Sequence, residues 1–404
     1  MSERHDVVVI GAGQAGLAMS YCLRQHGREH VVLERSRVAE RWHSERWNSL
    51  AFQFPNWALR LPGWTYEGGS PDEFVNYREI TRLIEDYARL IDAPVRCGMD
   101  VVALRQDASS ARLRVETRDA VIETGHVVIA TGPFQRPSIP AWSREIPARI
   151  FQVHASRYRG PEQLPHGAVL VVGSGGSGCQ IAEELYQAGR TVYLSVSRHR
   201  RAPRRYRGRD LTWWALERGI MDTRVDSFPE RIYPPSLVIT GVNGGHDIDV
   251  RQFAADGVIV LGRLLGAANG AFAFDESAEA ILAASDAAYQ GWRTACDELI
   301  AARGIDLPAE PEARFLAGPV PARTTLDAAA ISSVIWSTGY RFDFDWVKLP
   351  VLDGNGAPVQ EHGLTSVSNV YFLGLHWMHT FKSGVFFGVG DDAAYLADRI
   401  AQTP

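Results

Sequence analysis

From Asp6 the chain sets unbroken apolar runs against amphipathic stretches. Residues 6–34, DVVVIGAGQAGLAMSYCLRQHGREHVVLE, read as a buried strand, a glycine turn, an amphipathic helix and a second strand ending at Glu34. The same order returns at residues 168–197, AVLVVGSGGSGCQIAEELYQAGRTVYLSVS. Apolar strands flanking a helix are what a parallel sheet covered on both faces requires, so the pattern predicts two βαβ units. Between them lie an aromatic, proline-punctuated stretch (Trp42 to Pro71), a predicted helix (Tyr77 to Ile91) and alternating segments at Val101–Leu104 and Leu113–Thr117. The run VVIATG, Val127 to Gly132, reads as a strand ending at a Thr-Gly turn, after which Pro133, Pro137 and Pro140 force an irregular exit. SSVIWSTGY (Ser332–Tyr340) and VYFLG (Val370–Gly374) add strands before a final helix of roughly a dozen residues. The predicted fold class is α/β, with two Rossmann-like dinucleotide-binding domains. The second, residues 165–324, is inserted into a discontinuous first domain made of residues 1–164 and 325–404. Alanine-rich helices between Glu276 and Arg303 are assigned to the insert as packing.

Each glycine turn carries its own chemistry. In Gly11-x-Gly13-x-x-Gly16, Gly11 permits the tight turn, Gly13 lets backbone approach a pyrophosphate, and Gly16 allows close helix–strand packing. The free amides at the helix N-terminus then face phosphate. Glu34, at the end of the second strand, can accept the hydroxyl protons of an adenosine ribose. Gln14 within the turn and Arg35 beside Glu34 join this candidate set, which suits FAD. The second turn, Gly173-x-Gly175-x-x-Gly178 with Ser177 inside it, has no acid at the corresponding strand end. Arg198 stands there instead, followed by Arg200, Arg201, Arg204, Arg205, Arg207 and Arg209. Guanidinium forks suit a 2′-phosphate, which points to NADPH, with Arg198 and Arg204 as candidate contacts. A solvated basic loop is the plainer alternative.

Bulk properties narrow the function class. The 404 residues are 46% hydrophobic and 22% charged with a net charge of −5, which gives no general attraction for nucleic acid. Cys22, Cys97, Cys179 and Cys296 are scattered without a CxxC pair, which argues against a zinc cage or an internal dithiol acceptor and fits a reduced, cytoplasmic setting. No apolar run reaches membrane-span length, and no metal site is expected: His376 and His379 lack a completing carboxylate or cysteine. The expected partners are a small-molecule substrate and O2, with a homodimer admitted as the assembly. A nicotinamide that reduces a flavin leaves the final acceptor open.

The ordered set GAGQAG with Glu34, ERW (Glu40–Trp42), ATG (Ala130–Gly132), HxxxY (His154–Tyr158), GSGGSG (Gly173–Gly178) and STGY (Ser337–Tyr340) resembles the flavin-containing monooxygenase superfamily over nearly the whole chain. The resemblance implies the cycle of class B flavoprotein monooxygenases, in which NADPH reduces FAD and O2 adds at flavin C4a to give a peroxyflavin that oxygenates a small organic substrate. It places Arg41, Trp42 and Val101 against FAD, Thr131 and Gly132 at the domain link, and His154 in the catalytic apparatus. Without it, His154 and Tyr158 read as ordinary junction residues. Two departures stand out. The fingerprint FxGxxxHxxx is shortened, with Phe151 only three positions before His154, and Gly374-Leu375 replaces the Gly-Asp of the wider superfamily. Asn56, after Pro55, is a candidate side-chain amide at the flavin edge or else a turn-capping residue. The alternative function is an FAD-dependent NADPH oxidoreductase that passes electrons to a quinone or other acceptor without oxygen insertion.

Overall fold

Both glycine turns open at the C-terminal edge of a parallel sheet. A computed structural model of the chain describes residues 3–106, 112–228, 230, 237–310 and 320–403. In the first sheet the strands run in the order Val95–Cys97, His30–Glu34, Glu3–Ile10, Val121–Ile129, Leu113–Thr117, Val101–Gln106. The first four are mutually parallel, and the last two form an antiparallel edge. The returning strand Val370–Phe372 pairs in parallel with residues 127–129 of Val121–Ile129, beside the segment that takes Leu113–Thr117. Val7, Val8 and Val9 are fully buried because helices and loops cover both faces of the sheet.

The second sheet has the order Phe151–His154, Ile331–Trp336, Ala168–Val172, Val192–Ser195, Ile259–Leu261, and every pairing is parallel. This moves the expected boundaries. The sequence pattern puts Phe151–His154 in the first unit and Ile331–Trp336 in the return into it, yet both strands belong to the second sheet. The chain crosses where Arg136–Pro137 pairs antiparallel with Tyr340–Arg341. Ser138 N donates to Gly339 O at 2.9 Å, and the Thr338 hydroxyl donates to Ser138 O, so the two crossings brace each other. The alanine-rich region is one helix, Ala278–Arg303, with a glycine C-cap at Gly304.

The final helix, Val389–Ala401, packs Leu396, Ala397 and Ile400 into the core cluster that holds Leu17 and Met19 of the first glycine-turn helix. Gln14 Nε2 donates to Gly384 O at 2.8 Å, which ties the first turn to the loop preceding that helix. Among the described residues no helix is long and apolar enough to cross a membrane.

Candidate functional site

The two glycine turns are near copies in three dimensions. Gly11 has φ +108° and Gly173 φ +107°, a conformation that L side chains rarely adopt. A Cβ on Gly16 would lie 1.9 Å from Gly11 O, and one on Gly178 would lie 1.8 Å from Gly173 O. Gly13 and Gly175 have open space at that position. Neither the helix Gln14–Gln25 nor the helix Gly176–Gln187 has a side-chain N-cap or a first-turn acid, so both present unsatisfied amides. Each turn also backs onto a Thr-Gly strand exit. A Cβ on Gly11 would meet Ala130 O at 2.7 Å, and one on Gly173 would meet Ser337 O at 2.5 Å. These cradles fit the pyrophosphates of two dinucleotides.

The first turn opens on a cleft of about 640 Å3, within the roughly 300–1,000 Å3 range of cofactor sites. Gly11, Gly13, Gln14, Glu34, Arg35, Arg41, Trp42, Val101, Thr131 and Gly132 all line it. Gly16 lies beneath, where it permits the helix to close on the strand. The Glu34 carboxylate accepts from Ala12 N at 2.9 Å and Ser36 N at 3.0 Å, which fixes it at the strand end facing the cleft. Gln135, which the sequence did not single out, braces the link: its amide donates to Thr131 Oγ1 and Gly132 O and accepts from Asp343 N. Phe134, Arg46, Arg157 and His376 also line the cleft, as do the acids Asp343 and Asp345. Phe134 and His376 meet edge to face with centroids 5.5 Å apart. His376 opens on the cleft, but the protein around it pushes its pKa below the usual imidazole value, which favours the neutral ring. Gly374, in the position of the superfamily Gly-Asp, has φ +77° and packs on Ala15, a contact only glycine allows.

At the second turn the strand-end loop is stitched to Ser174. Ser197 N donates to Ser174 Oγ at 3.2 Å and His199 Nδ1 donates to Ser174 O at 2.9 Å. Arg198, between them, is exposed and meets no partner among the described residues. Ser177 is exposed in the first turn of the helix.

Three candidates, Arg204, Asn56 and His154, lie where they do not face the cleft. Arg204 is 1% exposed and cannot reach a solvent-side phosphate: it pairs with Asp210 at 2.7 Å, donates to Gln53 O and lies 4.3 Å from the Phe74 ring centroid. Arg201 pairs with Asp249 and Asp286, and Arg207 with Asp297, so much of the basic run is internal structure. Asn56 caps no turn: its amide donates to Ser70 O and accepts from Val75 N, pinning a loop more than a dozen residues downstream, and it does not line the cleft. The amide that reaches a dinucleotide turn is Gln53, whose Nε2 lies 3.0 Å from the place a Cβ on Gly176 would occupy. No sequence signal separates Gln53 from Asn56, since only the fold shows which one faces the second helix.

His154 has both ring nitrogens engaged. Nε2 donates to Gly339 O at 3.1 Å, while Nδ1 accepts from Ser156 N and caps the turn Ala155–Arg157. Burial pushes its pKa down, consistent with this neutral tautomer. Tyr158 is fully buried and donates to Glu184 at 2.7 Å, binding the junction to the second glycine-turn helix. Both residues shape the junction, and neither lines the cleft.

Residues 8–218 match the family described as pyridine nucleotide-disulphide oxidoreductase. An uncharacterized CzcO-like oxidoreductase of Geobacillus kaustophilus is 31% identical over 98% of both chains. A probable indole-3-pyruvate monooxygenase of Arabidopsis thaliana, YUCCA1, is 33% identical over 48% of this chain and 47% of its own. The flavin-containing monooxygenase of Stenotrophomonas maltophilia shares the fold, with a TM-score of 0.69 and 21% identity over 98% of both chains.

Proposed function

The chain belongs to the pyridine nucleotide-disulphide oxidoreductase family, and from that premise we propose that it is an NADPH-dependent FAD monooxygenase acting on a small organic substrate. The observation that carries the proposal is the duplicated turn with unequal strand ends. Glu34 faces the cleft at one, suiting a ribose diol, and an exposed Arg198 lies beside the other, suiting a phosphate monoester. FAD, when bound, supplies the electron acceptor for NADPH hydride and the centre at which O2 is activated. The chain's own residues hold and shield. The amides after Gly13 and Gly175 take the two pyrophosphates, Trp42 and Phe134 wall the cleft, and Gln135 with the Ser138–Gly339 pairing fixes the crossings between the units.

Oxygenation is favoured over electron transfer to a dithiol by the cysteines. Cys22, Cys179 and Cys296 are buried, burial pushes Cys22 up to about 12, and no disulfide partner stands near the exposed Cys97. The named activities of YUCCA1 and of the Stenotrophomonas protein point the same way. The deciding experiment supplies FAD-loaded protein with NADPH, 18O2 and a panel of ketones, thioethers, amines and 2-oxo acids. One labelled oxygen atom in a product is expected. NADPH consumption sustained by a quinone, with no label in any product, would establish the electron-transfer reading instead.

A further inference from the structure

The loop between Gly374 and the final helix faces two ways. On one side Gly374, His376 and Gly384 line the cleft, and Gly384 O accepts from the Gln14 amide. On the other it runs antiparallel to residues 221–225 of the second unit, with Arg224 and Thr380 as the bridging pair. Val225 N donates to His379 O at 2.9 Å, Phe381 N to Thr223 O at 3.0 Å, and Lys382 N to Met221 O at 3.2 Å. The Arg224 guanidinium donates to His379 Nε2 at 3.1 Å.

Lys382 ends this ladder. Its side chain is 17% exposed, and its ammonium lies 2.9 Å from Asp222 of the second unit and 2.8 Å from Asp391 in the first turn of the final helix. Nearby, Phe387 shares an apolar cluster with Trp214 and Met221. Apolar contact is non-directional and lets one surface slide on another, whereas a short ladder and an ammonium held between two carboxylates fix register. The paired crossings at Arg136–Pro137 and Tyr340–Arg341 are one attachment between the units, and rotation about a single two-stranded attachment is open. The ladder is a second attachment made by other residues.

We infer that Lys382 is a positioning residue for hydride transfer: by pinning Asp222 to Asp391 it holds the nicotinamide-binding unit at a fixed angle to the flavin cleft. This rests on the reading of the two glycine turns as flavin and nicotinamide sites. The transfer carries two electrons and one proton, as hydride, from NADPH to FAD and leaves NADP+ and reduced flavin. Its rate falls steeply when donor and acceptor are misplaced by about 1 Å. Asp222 and Asp391 are 61% and 67% exposed, so these ion pairs add little to stability and act on geometry.

The test pairs a distance with a rate. Spin labels on Cys97, exposed in the first unit, and on Thr294→Cys, exposed on the helix Ala278–Arg303, report the separation of the units by double electron–electron resonance without nucleotide. One narrow distance is expected in the parent, broadened in Lys382→Met and narrow again in Lys382→Arg. Anaerobic stopped-flow reduction of the FAD-loaded protein at saturating NADPH should slow by about tenfold in Lys382→Met, with FAD content and NADP+ affinity within about twofold, and recover in Lys382→Arg. If Lys382→Met does not fold, Asp222→Asn, at an exposed position, decides, with an expected slowing of about threefold or more. An unchanged distance distribution overturns the inference, and so does an unchanged reduction rate. Slower reduction at an unchanged distance would mean that Lys382 acts on the flavin itself, which also overturns it. The distance measurement needs neither substrate nor O2, so its failure is distinct from failure of the labelling experiment.

Discussion

Arg198 and Arg204 belong to one basic run, and their surroundings assign them separate work. Arg198 is exposed between two residues bonded to the second glycine turn, while Arg204 is buried against Asp210. Arg198→Glu should therefore weaken NADPH by about 1.5–3 kcal/mol, roughly 10- to 100-fold in KM, with little effect on NADH or on Tm. Arg204→Met should behave in the opposite way. It strands the Asp210 carboxylate in the interior at a cost of about 3–5 kcal/mol, lowers Tm by several degrees and leaves the NADPH-to-NADH ratio unchanged. Steady-state kinetics with both nucleotides and a melting curve for each variant check the pair, and equal losses for NADPH and NADH in Arg198→Glu would make that arginine structural. The sequence shows the charge of such residues but not their depth, so Arg198 and Arg204 read alike until the fold separates them. Asn56 and Gln53 present the same ambiguity as amides.

Strands, turns and helices were legible where their cause is local. The runs VVVIGAG and VLVVGSG carry burial and turn geometry within a few residues, and the structure has a strand, a positive-φ glycine and an uncapped helix at each. Sheet membership is decided by distant pairing, and there the boundaries shifted. Phe151–His154 joins Ile331–Trp336 across a long stretch of chain, which no window of sequence contains. The turns also separate folding from binding. Gly16→Ala puts a methyl 1.9 Å from Gly11 O, so the helix cannot close on its strand, and both Tm and FAD content should fall. Gly13→Ala meets nothing within 4 Å and sits at φ −90°, which alanine accepts. Its Tm without FAD should match the parent, while FAD retention on gel filtration drops by more than tenfold because the methyl occupies the pyrophosphate's approach. A Gly13→Ala protein that keeps its flavin would show that the first turn does not hold the cofactor.

At the scale of the molecule, the C-terminal helix closes the design by returning to the unit in which the chain began. Its first turn carries Asp392, 5% exposed, with Oδ2 unpartnered among the described residues and His379, Lys382, Ser383 and Asp391 around it. A helix N-terminus favours an ionised acid, but burial prevails and raises the Asp392 carboxyl from 3.8 to about 6, with Asp391 adding repulsion. The consequence for stability has a definite sign. Between about pH 4 and pH 6 the folded protein holds a proton that the unfolded chain has released, so stability contributed by the protonated form is lost as pH rises through this window. The full effect is on the order of 3 kcal/mol at neutral pH. Asp392→Asn keeps the shape and cannot ionise, so its Tm relative to the parent should be level near pH 4 and higher by a few degrees at pH 8, most of the change falling between pH 4 and 6. Carboxylates held low by their partners, such as Glu3 beside Arg96 and His5, act with the opposite sign in both proteins and cancel in the difference. Parallel melting profiles across that range would mean that Asp392 is already ionised and solvated at the helix end, and that the return of the chain onto the first glycine-turn helix leaves its first turn open to water.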